Sequence, residues 1–245
     1  MTSLTITATL CPSVHLGAKN TAANFLSGLN YIPGRALLGA AAWAWIDEGG
    51  NPENQQFKDR FLSNSVSWGD LLPVPVDRDT GAPMAGMPTV APITTMACKL
   101  FGLRHGHVDM LLGIGAPGEL EACRHPVGDM PCGAGLKRLD RVLVANDGGE
   151  LRYASLHKQH RTHLAIAFET GAARSGYLYS REVLQEGQTF RGRVRCTDPT
   201  FAPELRADLE RLRLSVGSGR SRGYGQLRIE VTEEEPAALT ADGIA

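Results

Sequence analysis

The residues best suited to chemistry stand in one run near the C-terminus: Ser215-Val216-Gly217-Ser218-Gly219-Arg220-Ser221-Arg222-Gly223-Tyr224-Gly225-Gln226. Gly217, Gly219, Gly223 and Gly225 lack a Cβ, which frees the backbone to bring its N–H groups close to a phosphate. Ser218 and Ser221 add hydroxyl donors, Arg220 and Arg222 add charge, and Tyr224 offers a face on which a base can stack. The run lies between a helical pattern and a closing strand pattern. A P-loop or dinucleotide fingerprint instead follows a strand and opens a helix, with Lys-Ser/Thr or a downstream acid. Neither companion is present, so ATP and NAD readings are set aside. A flexible glycine connector is the plainer alternative, and arginines alternating with glycines fit it poorly.

A second constellation is rich in metal donors. Cys98, His107, Cys123 and Cys132 supply the four N/S ligands that a structural zinc requires, with His105 and His125 in the same stretch. Cys123 and Cys132 are separated by eight residues, and unligated loop cysteines are the other reading. His157, His160 and His163 follow one another at three-residue spacing. On a helix they would form one stripe fit for metal or acid–base work, but residues 161–168 read as a strand, which scatters them. Asp109 beside His107 admits an acidic role in cleavage or, more plainly, a turn.

Charge distribution points the same way as the loop. The net charge is −1, yet residues 152–228 carry 14 basic and seven acidic groups, and 13 of the basic ones are arginine. Residues 1–151 sum to −3 and residues 229–245 to −5. Phosphate binding follows the local field and not the total, and arginine both grips phosphate bidentately and stacks on bases. A solvated basic face remains the ordinary alternative.

These groups need elements to hold them. Leu4, Ile6, Ala8 and Leu10 alternate with Thr5, Thr7 and Thr9, the pattern of a half-buried strand and not of a signal peptide. After the turn at Pro33-Gly34, an Ala- and Leu-rich run to Ile46 reads as a helix, with a short helical segment over 57–62. Trp43 and Trp45, two apart, cannot both face a core squarely, which leaves one for a subunit contact. From about 70 to 140 prolines and glycines crowd out long helices and central strands, so this segment reads as an insertion. Strand patterns follow at 141–145 and 151–155 around a turn at Asp147-Gly148-Gly149, then at 161–168, 176–179 and 189–194. A helix over 202–213 shows Leu205, Leu209 and Leu212 on one face, and a last strand covers 226–231. The acidic tail 232–245 has the composition of a disordered segment. The expected fold is α+β and ferredoxin-like (RRM-like), a single domain over 1–231 with an insertion near 70–140. No run reaches the ~18 apolar residues of a membrane span. Five scattered cysteines point to a reducing cytoplasm.

The helix–Gly/Arg loop–strand ending resembles the C-terminal glycine-rich loop of the RAMP superfamily of CRISPR-associated proteins. Tyr31-Ile32-Pro33-Gly34-Arg35-Ala36-Leu37-Leu38-Gly39-Ala40 is similar to that family's early Ile-Pro-Gly element, with Arg35 in place of the usual Ser and Leu38 where Lys or Arg is common. Trp68-Gly69-Asp70-Leu71-Leu72-Pro73, His105-Gly106-His107-Val108-Asp109, residues 161–166, Thr170–Tyr179 and Gly187–Gly192 are similar to the type III-D five-like effector subunit, in order over nearly all of residues 3–231. The resemblance implies a guide-RNA-binding subunit that holds the 5′ repeat-derived tag, with other RAMP subunits and a large polymerase-like subunit as partners. Gly34, Arg35 and Arg174 then join Gly217, Ser218, Gly219, Arg220, Ser221, Arg222, Gly223 and Gly225 as RNA-binding residues. Tyr177, Tyr179 or Tyr224 would stack on bases. No catalytic residue and no required cofactor is expected, with a structural zinc open. A metal-independent endoribonuclease processing precursor guide RNA through a histidine is the alternative, and a purely protein-contacting scaffold is a third.

Overall fold

The computed structural model describes residues 2–18, 24–77, 80–111, 122–139, 142–145 and 151–234. Chain contacts divide it into two compact units, Met1–Val74 with Leu156–Ala245, and Pro75–Ser155.

The first unit opens with strand β1 (Thr2–Leu10), whose Leu4, Ile6, Ala8 and Leu10 are fully buried as their alternation predicts. A two-residue β2 (Phe25–Leu26) precedes helix α1 (Gly34–Asp47). Pro33 ends the loop and presets the helical start, while the Asp70 carboxylate accepts the Gly34 N–H at 2.8 Å. A Cβ at Gly34 would collide with the carbonyl oxygen of Trp68, so only glycine lets the helix begin there. Leu37, Ala40, Ala41 and Ala44 are its buried face. A short α2 (Gln55–Phe57), capped by Asn54, runs into a π-turn over Lys58–Leu62, followed by β3 (Val66–Trp68) and β4 (Leu72–Pro73). Trp45 packs on Phe57 and Phe61, and Trp43 stays 56% exposed, so only one of the two tryptophans faces the core.

The second unit contains β5 (Thr89–Val90), β6 (Thr95–Cys98), β7 (Gly102–Asp109), β8 (Pro126–Val127), β9 (Met130–Pro131), β10 (Leu136–Arg138), β11 (Val142–Ala145) and β12 (Leu151–Tyr153). They form three small sheets, in the orders β10-β6-β7, β12-β11-β5 and β8-β9. This unit overlaps the stretch read as an insertion over 70–140. Its periodicity is invisible along the chain because its strands are two to eight residues long and closed by turns. The turn at 147–149 lies outside the described residues.

The chain then re-enters the first unit with the long hairpin β13 (Lys158–Ile166) and β14 (Ala173–Leu184), followed by β15 (Thr189–Cys196), α3 (Ala202–Arg211) and β16 (Leu227–Glu234). β14 runs well beyond the 176–179 expected, because both faces of the hairpin carry polar residues and the alternation is blurred. Residues 232–234 belong to β16, and the remainder of the acidic tail, 235–245, lies outside the described residues.

The main sheet has the order β16-β1-β15-β3, every neighbouring pair antiparallel, with β4 also on β15. In chain order this is strand, helix, strand, strand, helix, strand, with the first strand between the last and the third. That is the split βαβ arrangement of a ferredoxin-like fold. Its core joins β1, β15 and β16 to α1 and α3 through Phe190, Val194, Leu205 and Leu209. Arg60, 5% exposed, is pinned to α3 by ion pairs to Glu204 and Asp208. No helix among the described residues is long and apolar enough to cross a membrane.

Candidate functional site

The glycine-rich run is ordered and tied down. Gly217, Gly219, Gly223 and Gly225 all take positive φ, and between the inner two a 3-10 turn spans Arg220–Arg222. The amide of Ser218 bonds to the His15 carbonyl, that of Gly225 to the Ser13 carbonyl, and those of Arg222, Gly223 and Tyr224 within the turn. A Cβ at Gly217 would collide with the carbonyl oxygen of His15, and one at Gly225 with that of Val216. Here the structure departs from expectation. Those glycines bring the loop against the protein's own backbone, and those five amides are already used. The side chains of Arg220, Ser221 and Arg222 all stand exposed.

Pairing in the β13–β14 hairpin sets the second part of the site. Arg161 lies directly opposite Arg181, and His163 opposite Tyr179. Arg161 donates to the Tyr224 hydroxyl at 3.2 Å and to Ser13 Oγ at 3.1 Å, with its guanidinium 5.5 Å from the Tyr224 ring centre. Arg181 sits 5.2 Å from the centre of Tyr179 and donates to its hydroxyl at 3.4 Å. Among the described residues, the buried Nε of Arg181 has no hydrogen-bond partner. His163 stacks on Tyr179 at 5.4 Å. Burial and then the charges of Arg181, Arg222, Arg161 and His15 hold its imidazole below the usual value. Arg161, His163, Tyr179 and Arg181 thus share one face of the hairpin, and among the described residues no ion pair joins a carboxylate to Arg161, Arg181 or Arg222.

Behind this cluster the support is conventional. His15 Nδ1 donates to the Glu182 carbonyl at 2.8 Å, and Lys158 pairs with the Glu182 carboxylate at 2.8 Å. Burial raises the Glu182 carboxyl, but Lys158 and the Gly28 amide outweigh it and hold it below the ordinary range. Lys158 and Glu182 neutralise one another, so the excess charge lies with the arginines.

A cavity of about 570 Å³ adjoins the loop, lined by Trp43, Asp47, Arg213, Ser215, Arg220 and Ser221. It offers an aromatic face and charges of both signs beside one another.

Among the residues singled out from sequence, Arg222, Tyr224 and Tyr179 are thus brought to the facing arginines, and Arg220 lines the adjoining cavity. Tyr177 is half-exposed on β14, and Arg174 lies on the same strand with its side chain outside the described residues. Arg35 stands exposed in the first turn of α1, and among the described residues no hydrogen bond or ion pair joins it to the cluster. Gly34 serves the helix start described above. Arg161, Arg181, Ser13, His15 and the cavity residues Asp47 and Arg213 were not foreseen. Only the register of the hairpin places the first two, and no local signal marks the others. The three spaced histidines are scattered as a strand requires: His160 meets Phe25 at a tilt, His163 stacks on Tyr179, and the backbone N–H of exposed His157 donates to Gln188. Asp109 accepts the Leu111 amide and makes a turn.

In the second unit the donor atoms of Cys98, His105, Cys123 and Cys132 lie within 4.8 Å of one another. This corrects the expected set, which held His107. Gly106 takes a φ of +76° and the β6–β7 register shifts at Ala97/Cys98, so the bulge swings His105 to the cysteines. His107 instead pairs opposite Ala97, with its side chain exposed. The eight-residue gap closes because β8 and β9 form a tight hairpin inside it, sealed by Cys132 N–H to the His125 carbonyl at 2.9 Å. Burial and the neighbouring His125 push His105 below its usual pKa, and burial pushes Cys123 up.

A family model described as the RAMP superfamily matches residues 7–228. No curated protein matches the chain. Among solved structures, a chain of the type III-B Cmr-beta bound to cognate target RNA superposes with a TM-score of 0.52 at 11% identity, over 94% of this chain and 96% of that one. A chain of the type III-B Cmr-beta apo state gives 0.51 at 12% identity, over 94% and 97%. At such identities the likeness is one of fold.

Proposed function

The chain belongs to the RAMP superfamily, and we propose that it acts there as a non-catalytic guide-RNA-binding subunit of a cytoplasmic type III CRISPR effector ribonucleoprotein. Within such an assembly, of the III-D kind, it would hold the 5′ repeat-derived tag and contact other RAMP subunits and a large polymerase-like subunit. The observation that carries the reading is the basic cluster, to which no carboxylate is paired among the described residues. Arg161 and Arg181 face each other across the ladder, where like charges repel, and Arg222 approaches the same place. A phosphate between them would remove that repulsion, and Tyr179 and Tyr224 would present stacking faces beside it. The fold shared with a chain of the type III-B Cmr-beta, an assembly solved with cognate target RNA, supports the same assignment.

Arg220 and Arg222 replaced together by Ala should weaken binding of repeat-derived RNA to a similar degree across sequences. The slope of log affinity against log salt should flatten by roughly one to two phosphate contacts. Unchanged affinity and slope in fluorescence anisotropy would remove the loop from the interface. Incubation of repeat RNA with the chain in EDTA should leave the RNA intact, whereas cleavage would establish the endoribonuclease reading instead.

His163 adds a pH signature. Its pKa is lowered in the free chain, first by burial and then by the arginines. Bound phosphates would draw it back up, so RNA binding takes up a proton and affinity should rise as pH falls through the histidine range. His163→Gln should abolish that dependence while keeping binding at neutral pH.

A further inference from the structure

Going beyond RNA binding, we propose that the second unit is organised by a zinc ion held by Cys98, His105, Cys123 and Cys132, and that it folds on that ion. The donors come from three separate places. Cys98 ends β6, His105 sits on the bulge of β7, and Cys123 and Cys132 flank the β8–β9 hairpin.

Their spacing is that of a tetrahedral ion. Bonds of ~2.3 Å to sulfur and ~2.05 Å to nitrogen place two sulfurs about 3.8 Å apart, and a sulfur about 3.5 Å from a nitrogen. Cys98 Sγ and Cys132 Sγ are 3.9 Å apart, and Cys123 Sγ is 3.5 Å from His105 Nδ1. A disulfide accounts for this poorly, because it needs sulfurs ~2.05 Å apart and would leave Cys123 and His105 without a purpose.

The surroundings hold the ligands in place. The His105 ring is stacked between Phe101 and His125, each centroid 4.2 Å away at interplanar angles near 20°. The Phe101 N–H donates to Cys98 Sγ at 3.4 Å, a hydrogen bond that supports a thiolate ligand. Cys98 and Cys123 are 1% and 5% exposed, so the centre is inside the unit and not on its skin.

Such a clasp also suits the unit. Its described apolar cluster consists of Ala91, Ala97 and Leu139, with Leu103 and Tyr153 against it. A metal joining three separate segments ties such short strands together, and its binding free energy then counts as folding free energy.

The test uses the full chain, purified under reducing conditions without chelator. Elemental analysis should find one zinc per chain, lost in Cys123→Ser and in His105→Ala but kept in His107→Ala. Cobalt substitution should give the visible absorption of tetrahedral thiolate coordination. Removing the metal with a chelator should speed hydrogen exchange over 95–139 at least tenfold, while β1, β15 and β16 exchange as before. That internal control separates loss of the centre from general unfolding. Three results would each overturn the proposal: no bound zinc, equal loss of zinc in the His105 and His107 variants, or unchanged exchange over 95–139 after chelation.

Discussion

Arg181→Gln should lower RNA affinity about 10- to 100-fold while leaving the free chain at least as stable as before. The two halves of this expectation have one cause. In the free protein Arg181 lies directly opposite Arg161 on the ladder, a like-charge pair that costs stability. Its Nε is buried with no hydrogen-bond partner among the described residues, which adds a desolvation cost of about 1–3 kcal/mol. A neutral side chain of similar reach relieves the repulsion and keeps a donor near Tyr179. With RNA bound the balance reverses, because a hydrogen bond from a charged donor contributes about 1.5–3 kcal/mol and would now be missing. The salt slope should also fall by about one. Thermal denaturation and anisotropy titration of the same preparation measure both quantities. A variant that binds RNA normally, or that melts well below the parent, would show that Arg181 is a structural residue and not a phosphate ligand.

Gly225→Ala should destabilise the protein by about 3 kcal/mol or more, and Gly223→Ala by only about 1–2 kcal/mol. Both residues take a left-handed φ, at +89° and +80°, and an L side chain there costs roughly 1–2 kcal/mol. Only Gly225 adds a collision, since its Cβ would enter the carbonyl oxygen of Val216, while nothing lies within 4 Å of a Cβ at Gly223. Val216 and Gly225 form the neck of the loop, linked by the Val216 N–H to Gly225 carbonyl bond at 2.9 Å. Forcing them apart displaces Tyr224 from Arg161 and the loop from Ser13. In a chain of this size each kcal/mol shifts Tm by roughly 2–4 °C, so the two variants should melt several degrees apart. Equal melting temperatures would mean that the glycines are interchangeable and that backbone contact does not dictate their positions.

Much of the architecture could be read along the chain. β1 and α3 declare themselves because each buries one face, and burial imposes a period of two or of 3.6 on residues such as Leu4, Ile6 and Ala8 or Ala202, Leu205 and Leu209. The expected helix face included Leu212, but α3 ends at Arg211 and Leu212 is extended. The basic loop is visible for a similar reason: glycines, serines and arginines are local in sequence and local in space. Its chemistry was harder to read. Positive φ values suit a phosphate-binding loop and a loop packed on its own protein alike, and only the neighbours Ser13, His15 and Val216 show where the amides go.

Register and backbone bulges have no local signature at all. Arg161 and Arg181 are twenty positions apart and meet because the hairpin pairs them; a slip of one residue would turn every side chain to the other face. His105 and His107 share the parity of one strand, and an alternating ladder would treat them alike. A left-handed Gly106 and a shifted register deliver His105 to Cys98, Cys123 and Cys132 and leave His107 exposed. Composition and periodicity thus decide which segments become strands and helices, since those depend on neighbours a few residues away. The facing cations and the fourth metal donor depend on pairings between distant segments, and tertiary structure alone decides them.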